Sequence, residues 1–298
     1  MKVLHLISGG DTGGAKTHVH SLLQGLGRQI DVSMVCFTDG PFAQEARELG
    51  IDTQIVSGHN IFKALRVLQE KVRTEGYQLL HCHGARGNLM GWLLKRATGL
   101  PVISTVHSDY KLDYMGRPFS RLTYGTINAI ALRQMDYHIG VSDATVDMLI
   151  DRGFHPDKIY PIYNGLDFSE RPVQQERDAF FAAHGLKADA DSVVVGIAAR
   201  LNPVKDIPTL IRGFAKAYTQ CPKLRLVIAG DGQQKDELVQ LAAELGVADV
   251  VCFAGWLTDV DSFYHAIDIN TLTSLSETFP YSLTEGAPWP HGWAAYPI

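Results

Sequence analysis

Two glutamates near the end of the chain have the spacing of a ligand site. Glu277 lies just before a predicted helix that begins with a proline, and Glu285 lies one to two turns into it. Carboxylates so placed can accept hydrogen bonds from two sets of hydroxyl groups. A proline at a helix start also leaves the next amides, those of Tyr281, Ser282 and Leu283, free for phosphate oxygens. The pattern indicates either a site for a phosphorylated sugar or a pair of exposed helix-end carboxylates.

A second group with the chemistry of a phosphate site follows the apolar run "SVVVGIAA". The loop "AARLNPVKD" carries Arg200 and Lys205 five positions apart. Arginine binds phosphate with a fork of hydrogen bonds, and lysine adds a movable point charge. The two cations therefore predict a diphosphate site, unless they are two solvated surface charges.

The first apolar run leads into the glycine-rich stretch "SGGDTGGAKTH", which includes Gly13 and Gly14. Such glycines permit a close approach of the backbone to a ligand, and the helix that follows directs its amides at an anion. A flexible loop is an equally good interpretation. The spacing is not G-x-G-x-x-G, so the dinucleotide fingerprint of a nicotinamide dehydrogenase is absent.

Three histidines end two further apolar runs. His81 and His83 in "QLLHCH" share one face of a strand, but a metal site would need a third ligand, which the nearby sequence does not supply. His107 ends "PVISTVH", where a strand meets a ligand cleft. A lone histidine is more often structural than catalytic, and its position favours His107 as a functional group.

These groups depend on a nearly continuous alternation of apolar runs and helix-period segments, which predict helices at 61–75 and 206–219 among others. The alternation predicts parallel sheets covered on both faces, with ligands beyond the carboxyl ends of the strands. It pauses between Leu166 and Asp191, in a charged, glutamine-rich stretch. We therefore predict an α/β chain of two doubly wound, Rossmann-like domains facing a cleft, at 1–165 and 192–298, with a linker at 166–191.

Composition narrows the class of protein. Apolar residues make up 46% and charged residues 20% of the 298 residues, as in ordinary globular proteins. The net charge of −5 argues against binding to nucleic acid. Four scattered cysteines indicate reduced thiols and a cytoplasmic location, and no apolar run is long enough to span a membrane. Residues 1–165 have a small basic excess, compatible with contact at the inner face of a membrane.

Taken in order, these segments resemble the family-four glycosyltransferases of the GT-B fold. The resemblance extends over residues 1 to about 287, and each piece is weak alone whereas the ordered set is specific. The matching segments are Gly13-Gly14, "TVH" at 105–107, "VS" at 141–142, "YNGLD" at 163–167, "ARLNPVKD" at 199–206, "AGDG" at 229–232 and E-x7-E at 277–285.

The resemblance implies a role for each group. Gly13, Gly14, Arg200, Lys205, Ser282 and Leu283 would hold the donor diphosphate, and Glu285 would bind the ribose. His107 and Glu277 would contact the reacting sugar, and His18 would lie on the acceptor side. The activity implied is transfer of a hexose, with retention of configuration, from a nucleotide sugar to a glycan or lipid-linked acceptor in polysaccharide or glycoconjugate synthesis. No metal cofactor is implied, and we interpret the two Asp-x-Asp tripeptides at 189–191 and 259–261 as chance matches.

The last eleven residues, "PWPHGWAAYPI", depart from this family pattern. Three prolines there predict neither a regular helix nor a central strand. We therefore expect residues 288–298 to be an aberrant tail on an incomplete second domain. Two alternatives follow: a truncated remnant without activity, or a nucleotide-sugar epimerase of the same fold. The spacing of Glu277 and Glu285 favours the transferase.

Overall fold

The chain divides into two compact units, Met1–Gly165 and Leu166–Ile298. A computed structural model describes residues 1–10, 14–113, 115, 118–165, 172–290 and 292–295. Each unit contains one parallel β-sheet with helices between successive strands. The predicted α/β class is confirmed.

The first unit contains a seven-stranded sheet in the order β3-β2-β1-β4-β5-β6-β7, and every strand pair is parallel. Its strands are β1 (Lys2–Ile7), β2 (Asp31–Cys36), β3 (Thr53–Ile55), β4 (Leu79–His83), β5 (Val102–Val106), β6 (Tyr137–Gly140) and β7 (Ile159–Pro161). Its helices are α1 (Gly14–Leu26), α2 (Pro41–Glu48), α3 (Ile61–Glu75), α4 (Gly84–Thr98), α5 (Pro118–Ser120), α6 (Thr126–Leu132) and α7 (Asp143–Asp151), with a π-helical turn at Arg121–Gly125 and a 3-10 turn at Pro156–Lys158.

Helix α3 shows how local sequence sets these elements. The side chain of Asn60 accepts a hydrogen bond from the Lys63 amide at 3.0 Å and so caps the helix start. Ala64, Leu68 and Val72 recur every four residues and are buried against the sheet. Gly76 ends the helix in the left-handed conformation at φ 71°.

The two faces of the first sheet bury different side chains. Leu4 and Leu6 of β1 belong to an apolar cluster with α3 and α4. His5, on the opposite face, is fully buried on the same side as Ile7, which packs against α1 and α2. Because β1 and β4 pair in register, His5 lies beside His81. One face of this sheet is therefore conventional core, and the other contains buried imidazoles.

The second unit contains a five-stranded parallel sheet in the order β10-β9-β8-β11-β12. Its strands are β8 (Val193–Ala198), β9 (Leu224–Ala229), β10 (Val251–Gly255), β11 (Ile269–Leu272) and β12 (Gly292–Ala295). Its helices are α8 (Arg177–Ala183), α9 (Ile207–Tyr218), α10 (Lys235–Glu244), α11 (Val260–Ala266) and α12 (Tyr281–Gly286), with 3-10 turns at Pro203–Lys205 and Ala248–Val250.

Part of the stretch predicted as a linker packs within this second unit. Phe180 and Phe181 of α8 are buried in its core. Arg177 donates to the carboxylate of Asp268 at 2.7 Å. Residues 172–191 are therefore an integral layer of the unit, because an aromatic pair and an ion pair attach them to the sheet.

The tail also differs from its expectation. Residues Gly292–Ala295 form strand β12, which pairs in parallel with β11 at the sheet edge. Trp289 packs against the ring of His265, with 5.4 Å between ring centroids. The prolines exclude a central strand, as predicted, but the proline-free segment "GWAA" extends the sheet. The expectation of a tail foreign to this fold is therefore wrong for residues 292–295.

Candidate functional site

The carboxyl ends of the strands carry the candidate groups in both units. Each unit is described by itself, starting with the second, whose sheet places the loops after β8, β9 and β11 side by side. No helix among the described residues is long and apolar enough to cross a membrane.

The loop after β8 rests directly on the loop after β9. The Ala199 amide donates to the Ala229 carbonyl, and the Leu201 amide donates to the Asp231 carbonyl, both at 2.9 Å. A Cβ on Gly230 would lie 1.9 Å from the Ala199 carbonyl oxygen, so this contact requires glycine. The segment "AGDG" thus supports the loop that carries the cations.

Arg200 lies in this loop and is exposed. Its guanidinium forms no ion pair with another of the described residues. An exposed guanidinium at the carboxyl edge of a parallel sheet is available for bidentate bonds to phosphate. The geometry is compatible with the predicted role of Arg200, which stays a prediction.

Lys205 and Glu277 form an ion pair that the sequence did not predict. The lysine Nζ donates to Glu277 Oε1, and the Ser274 hydroxyl donates to the same oxygen at 2.5 Å. The exposed fractions of the two charged side chains are only 22% and 12%. Two further bonds join these segments: Thr273 Oγ1 to the Lys205 carbonyl at 2.9 Å and the Leu275 amide to the Val204 carbonyl at 2.8 Å.

The backbone bends sharply at this point. Asp206, next to Lys205, has φ 43°, which makes it the only residue other than glycine with a positive φ in the described part of the chain. Left-handed backbone costs free energy for a residue with a Cβ, and such conformations cluster at ligand sites. Asp206 thus lies between Lys205, which pairs with Glu277, and the first residue of α9.

The short helix α12 carries Glu285 and is held by a buried side chain. Asn270 of β11 is fully buried, and its amide donates to the Ser282 carbonyl at 2.9 Å. Burial and the charge of Glu285 raise the pKa of the Tyr281 phenol, so the two side chains are neighbours. Sequence reasoning missed Asn270, although a polar residue inside the apolar run "INTL" was the available signal.

The amides at the start of α12 are less free than the sequence predicts. The Leu283 amide donates to the Pro280 carbonyl at 3.0 Å, and the Tyr281 amide donates to the Phe279 carbonyl at 2.9 Å. The expectation of unpaired amides is therefore wrong for both residues, because the chain forms tight turns around the proline. The Ser282 amide donates no backbone hydrogen bond within the described part of the chain.

In the first unit, Gly14 opens α1, and Gly13 lies outside the described residues. His18 of α1 and His107 after β5 are brought together, with ring centroids 4.8 Å apart. Burial lowers the pKa of His107 to about 3 and that of His18 to about 4, so both imidazoles are neutral at pH 7.

Behind His107 lie the two histidines of β4 and a third from β1. His5, His81 and His83 are buried, and one nitrogen from each lies within 4.8 Å of the others. The third potential metal ligand, which the nearby sequence lacked, thus comes from a strand distant in sequence. His81 Nε2 lies 2.7 Å from Thr105 Oγ1. Burial, reinforced by neighbouring imidazoles, lowers the pKa of all three.

The Asp-x-Asp tripeptides have structural roles. Asp259 caps α11 by accepting from the Ser262 amide at 3.1 Å. Asp189 accepts from the Ser192 hydroxyl at 2.8 Å in the turn before β8. Both carboxylates are engaged within their own turns.

Family models match both halves of this chain. The model described as Glycosyltransferase Family 4 matches residues 12–170, and the model described as Glycosyl transferases group 1 matches residues 178–287. The chain belongs to glycosyltransferase family 4. This membership favours a glycosyltransferase that uses nucleotide sugars over the epimerase and dehydrogenase alternatives.

Curated relatives agree with this assignment. The chain is 26% identical over 278 residues to the UDP-Gal:alpha-D-GlcNAc-diphosphoundecaprenol alpha-1,3-galactosyltransferase of Escherichia coli, covering 86% of this chain and 69% of that protein. It is 28% identical over 261 residues to a D-inositol 3-phosphate glycosyltransferase of Actinosynnema mirum, covering 80% of this chain and 60% of that protein. The chain therefore spans roughly two thirds of the length of these relatives.

Solved structures of the same fold cover nearly all of the chain. Anabaena Alr3699/HepE in complex with UDP and glucose superposes with a TM-score of 0.82 at 22% identity, covering 99% of this chain and 80% of that one. The sucrose-phosphate synthase of Thermosynechococcus elongatus superposes with a TM-score of 0.74 at 18% identity and the same coverage. The two-domain GT-B fold is thereby confirmed.

Proposed function

We propose that this chain transfers a hexose from a UDP-sugar to a glycan or lipid-linked acceptor and retains the anomeric configuration. The observation that carries the proposal is the grouping of Arg200, the Lys205–Glu277 pair and Glu285 at one edge of the second sheet. The complex of Alr3699/HepE with UDP and the UDP-Gal donor named for the Escherichia coli relative support UDP as the nucleotide of the donor.

The charges assign a part of the donor to each group. In this proposal Arg200 and Lys205 bind the diphosphate and stabilise its charge as the bond to the sugar breaks. Preorganised cations of this kind contribute several kcal/mol to transition-state stabilisation. Ser282 and Leu283 would add backbone amides, Leu283 by sharing its bond to Pro280. Two cations supply the positive charge that a divalent metal otherwise provides, so the proposal requires no metal.

The carboxylate of Glu277 can bind both Lys205 and the donor sugar. Lys205 and Ser274 donate to its Oε1, which leaves Oε2 for a hydroxyl of the donor sugar. Glu285, on α12, would accept hydrogen bonds from the ribose hydroxyls. Each carboxylate would thus bind hydroxyl groups, Glu277 from the loop between β11 and α12 and Glu285 from α12 itself.

His107 has a different role in this proposal. With a pKa lowered to about 3 by burial, its imidazole is too weak a base to accept a proton at neutral pH. We therefore assign His107 to hydrogen bonding with the reacting sugar. His18, whose ring contacts His107, would lie on the acceptor side, with Gly13 and Gly14 at the donor phosphates.

An exposed apolar surface in the first unit supports a lipid-linked acceptor and peripheral membrane contact. Phe119, Leu122 and Ile130 lie on the segment from α5 to α6 and are exposed by 85%, 74% and 46%. Apolar side chains so exposed partition into a lipid interface. Replacing Phe119 and Leu122 by serine should reduce sedimentation with anionic vesicles, while the same change at the exposed Phe62 of α3 should not.

Nucleotide binding tests the proposal directly. Thermal-shift titrations with UDP, GDP and ADP should show stabilisation that grows with ligand concentration and is largest for UDP. At about 100 times the dissociation constant the expected stabilisation is about 2.7 kcal/mol. Absence of a shift with any nucleoside diphosphate would contradict the donor site. A larger shift with GDP than with UDP would contradict UDP as the donor nucleotide.

A further inference from the structure

Asn270 is a polar residue inside the second sheet. It lies on β11, between β8 and β12, and its side chain is fully buried. The next residue, Thr271, is also buried, but its hydroxyl donates to the Gly196 carbonyl of β8 at 2.8 Å and so bonds within the sheet. Successive side chains of a strand point to opposite faces, and that of Asn270 extends to α12. The two neighbours therefore have different kinds of partner.

The side-chain atom of Asn270 that contacts α12 is the amide nitrogen. It lies 2.9 Å from the Ser282 carbonyl oxygen. A carbonyl oxygen only accepts hydrogen bonds, so the atom facing it is the donor Nδ2 and the other atom is the acceptor Oδ1. Oδ1 is buried and has no hydrogen-bond partner among the described residues. Asn270 thus uses its donor and leaves its acceptor unpaired.

This half-satisfied amide costs stability relative to an apolar residue. Burial of an unpaired carbonyl oxygen is unfavourable, whereas a leucine of similar size has no polar atom to desolvate. The Ser282 carbonyl would lose little by that exchange, because within the helix it also faces the amide four residues on, that of Gly286. The hydroxyl of Tyr281, the first residue of α12, is likewise buried without a partner in the described part of the chain. Stability alone therefore does not explain an asparagine at this position.

The position of α12 depends on its contacts with the rest of the unit. The helix has six residues, too few to be stable on its own. Leu283 is buried, but apolar burial is non-directional, whereas the hydrogen bond from Asn270 requires one distance and one angle. Glu285 lies on the same short helix, one turn after Ser282. A shift of α12 against β11 would therefore displace Glu285.

We propose that Asn270 is a positioning residue for the donor site: its hydrogen bond to Ser282 fixes α12 on β11 and thereby sets the place of Glu285. The unpaired Oδ1 lowers stability as a consequence. The contact of Glu285 with the ribose rests on the proposed function, whereas the fixing of α12 by Asn270 does not.

Asn270→Leu separates geometry from stability. In the Trp92→Phe background, which reports on the second unit, we expect a urea midpoint equal to or above that with Asn270, because the unpaired oxygen is gone. Amide hydrogen exchange in residues 281–286 should nevertheless become faster, since α12 has lost its directional contact. UDP affinity should fall by about tenfold, as expected for Glu285→Gln.

A double variant shows whether Asn270 acts through Glu285. If it does, Asn270→Leu adds little to the loss of UDP affinity in Glu285→Gln, because both changes remove the same contact. Independent losses that multiply to about a hundredfold would overturn the proposal.

Thr271→Val is the matched control. It removes a buried hydrogen bond on the same strand that does not reach α12. The urea midpoint should therefore fall, while UDP affinity and exchange at 281–286 stay unchanged. A lower urea midpoint in Asn270→Leu with unchanged exchange at 281–286 would make Asn270 an ordinary structural residue and overturn the proposal.

Two further arms keep the test decisive. If Asn270→Leu does not fold, Asn270→Thr takes its place with the same expected exchange, because threonine suits a strand and is too short to reach Ser282. If the unmodified protein binds no UDP, the donor site fails, but exchange at 281–286 still decides whether Asn270 fixes α12. Unchanged exchange in the variant would overturn the proposal, even if UDP binds as proposed.

Discussion

The carboxyl edges of the two sheets carry opposite kinds of chemistry. The edge of the second sheet carries full charges, with Arg200 exposed and Lys205 paired to Glu277. The corresponding edge of the first sheet ends in imidazoles that burial keeps neutral, as at His107 and His18. Cations suit a diphosphate, whereas a neutral imidazole can both donate to and accept from a sugar hydroxyl. In the proposed function, the charged edge of the second unit binds most of the nucleotide, and the imidazoles of the first unit contact hydroxyl groups.

The largest difference between the two units should be in their stability to acid, with the first unit unfolding at a higher pH than the second. The folded-state pKa values of His5, His18 and His107 lie at about 3, 4 and 3, below the ordinary 6.5. The unfolded chain therefore binds more protons, and the stability that these groups contribute is present above pH 6.5 and lost as the pH falls toward 3. Each such histidine changes the free energy of unfolding by up to about 1.4 kcal/mol per pH unit.

Tryptophan fluorescence can follow this acid transition in each unit. Trp92 lies in the first unit, and the other three tryptophans lie in the second. A variant that retains only Trp92 should show unfolding between pH 6 and 4. The Trp92→Phe variant, which reports on the second unit, should change at lower pH. A single transition at the same pH in both variants would contradict the contrast between the units.

Removing the exposed cation should cause the largest loss of activity. Arg200→Ala takes away the guanidinium proposed to stabilise the departing diphosphate, and we expect UDP release from the donor to fall by about 10²- to 10³-fold. Arg200→Lys keeps the positive charge but loses the bidentate hydrogen bonds. Its rate of UDP release should lie between those of the unmodified protein and Arg200→Ala. Arg212→Ala, an exposed change on α9, is the matched control. Unchanged turnover in Arg200→Ala would remove this residue from the site.

Breaking the ion pair should weaken the second unit itself. Glu277→Gln leaves the half-buried Lys205 ammonium without its carboxylate, and we expect a loss of about 1–3 kcal/mol in the free energy of unfolding. Urea denaturation of the Trp92→Phe variant with and without this substitution measures the effect. An equal loss in Glu244→Gln, on the surface of α10, would show that the effect is not specific to the pair.

The smallest effect on ligand binding is expected from a change at Glu285, the residue proposed to bind the ribose. Glu285→Gln keeps the shape of the side chain and removes its charge, and we expect UDP affinity to fall by about tenfold. Isothermal titration with UDP and with UDP lacking both ribose hydroxyls checks the assignment. The variant should lose most of its ability to distinguish the two ligands. If it distinguishes them as well as the unmodified protein does, Glu285 does not bind the ribose.

Much of the fold was readable from the sequence, because buried parallel strands leave long apolar runs. The helix predicted at 61–75 coincides with Ile61–Glu75, and that predicted at 206–219 with Ile207–Tyr218. Strands β3 and β12 were not predicted, since the first has only three residues and the second is fully exposed. An edge strand that buries little has little apolar pattern to detect.

The sequence identified individual residues of the candidate site but not the contacts between them. The sequence singled out Lys205 and Glu277 but not their contact, which joins residues 72 positions apart. The sequence singled out His83 and His107 but not His5, which lies on the distant strand β1 with its Nδ1 3.1 Å from His83 Nε2. Such contacts depend on strand order, and strand order follows from packing that local patterns do not encode.

Hydrogen–deuterium exchange with and without UDP tests the central claim most directly, because it reports on both units at once. We predict that UDP slows exchange in the loop at 199–206 and in the segment at 274–287, where the cations and both glutamates lie. Exchange in strands β1 and β4 of the first unit should stay unchanged. Protection confined to the first unit, or none at saturating UDP, would contradict the assignment of the nucleotide to the second sheet.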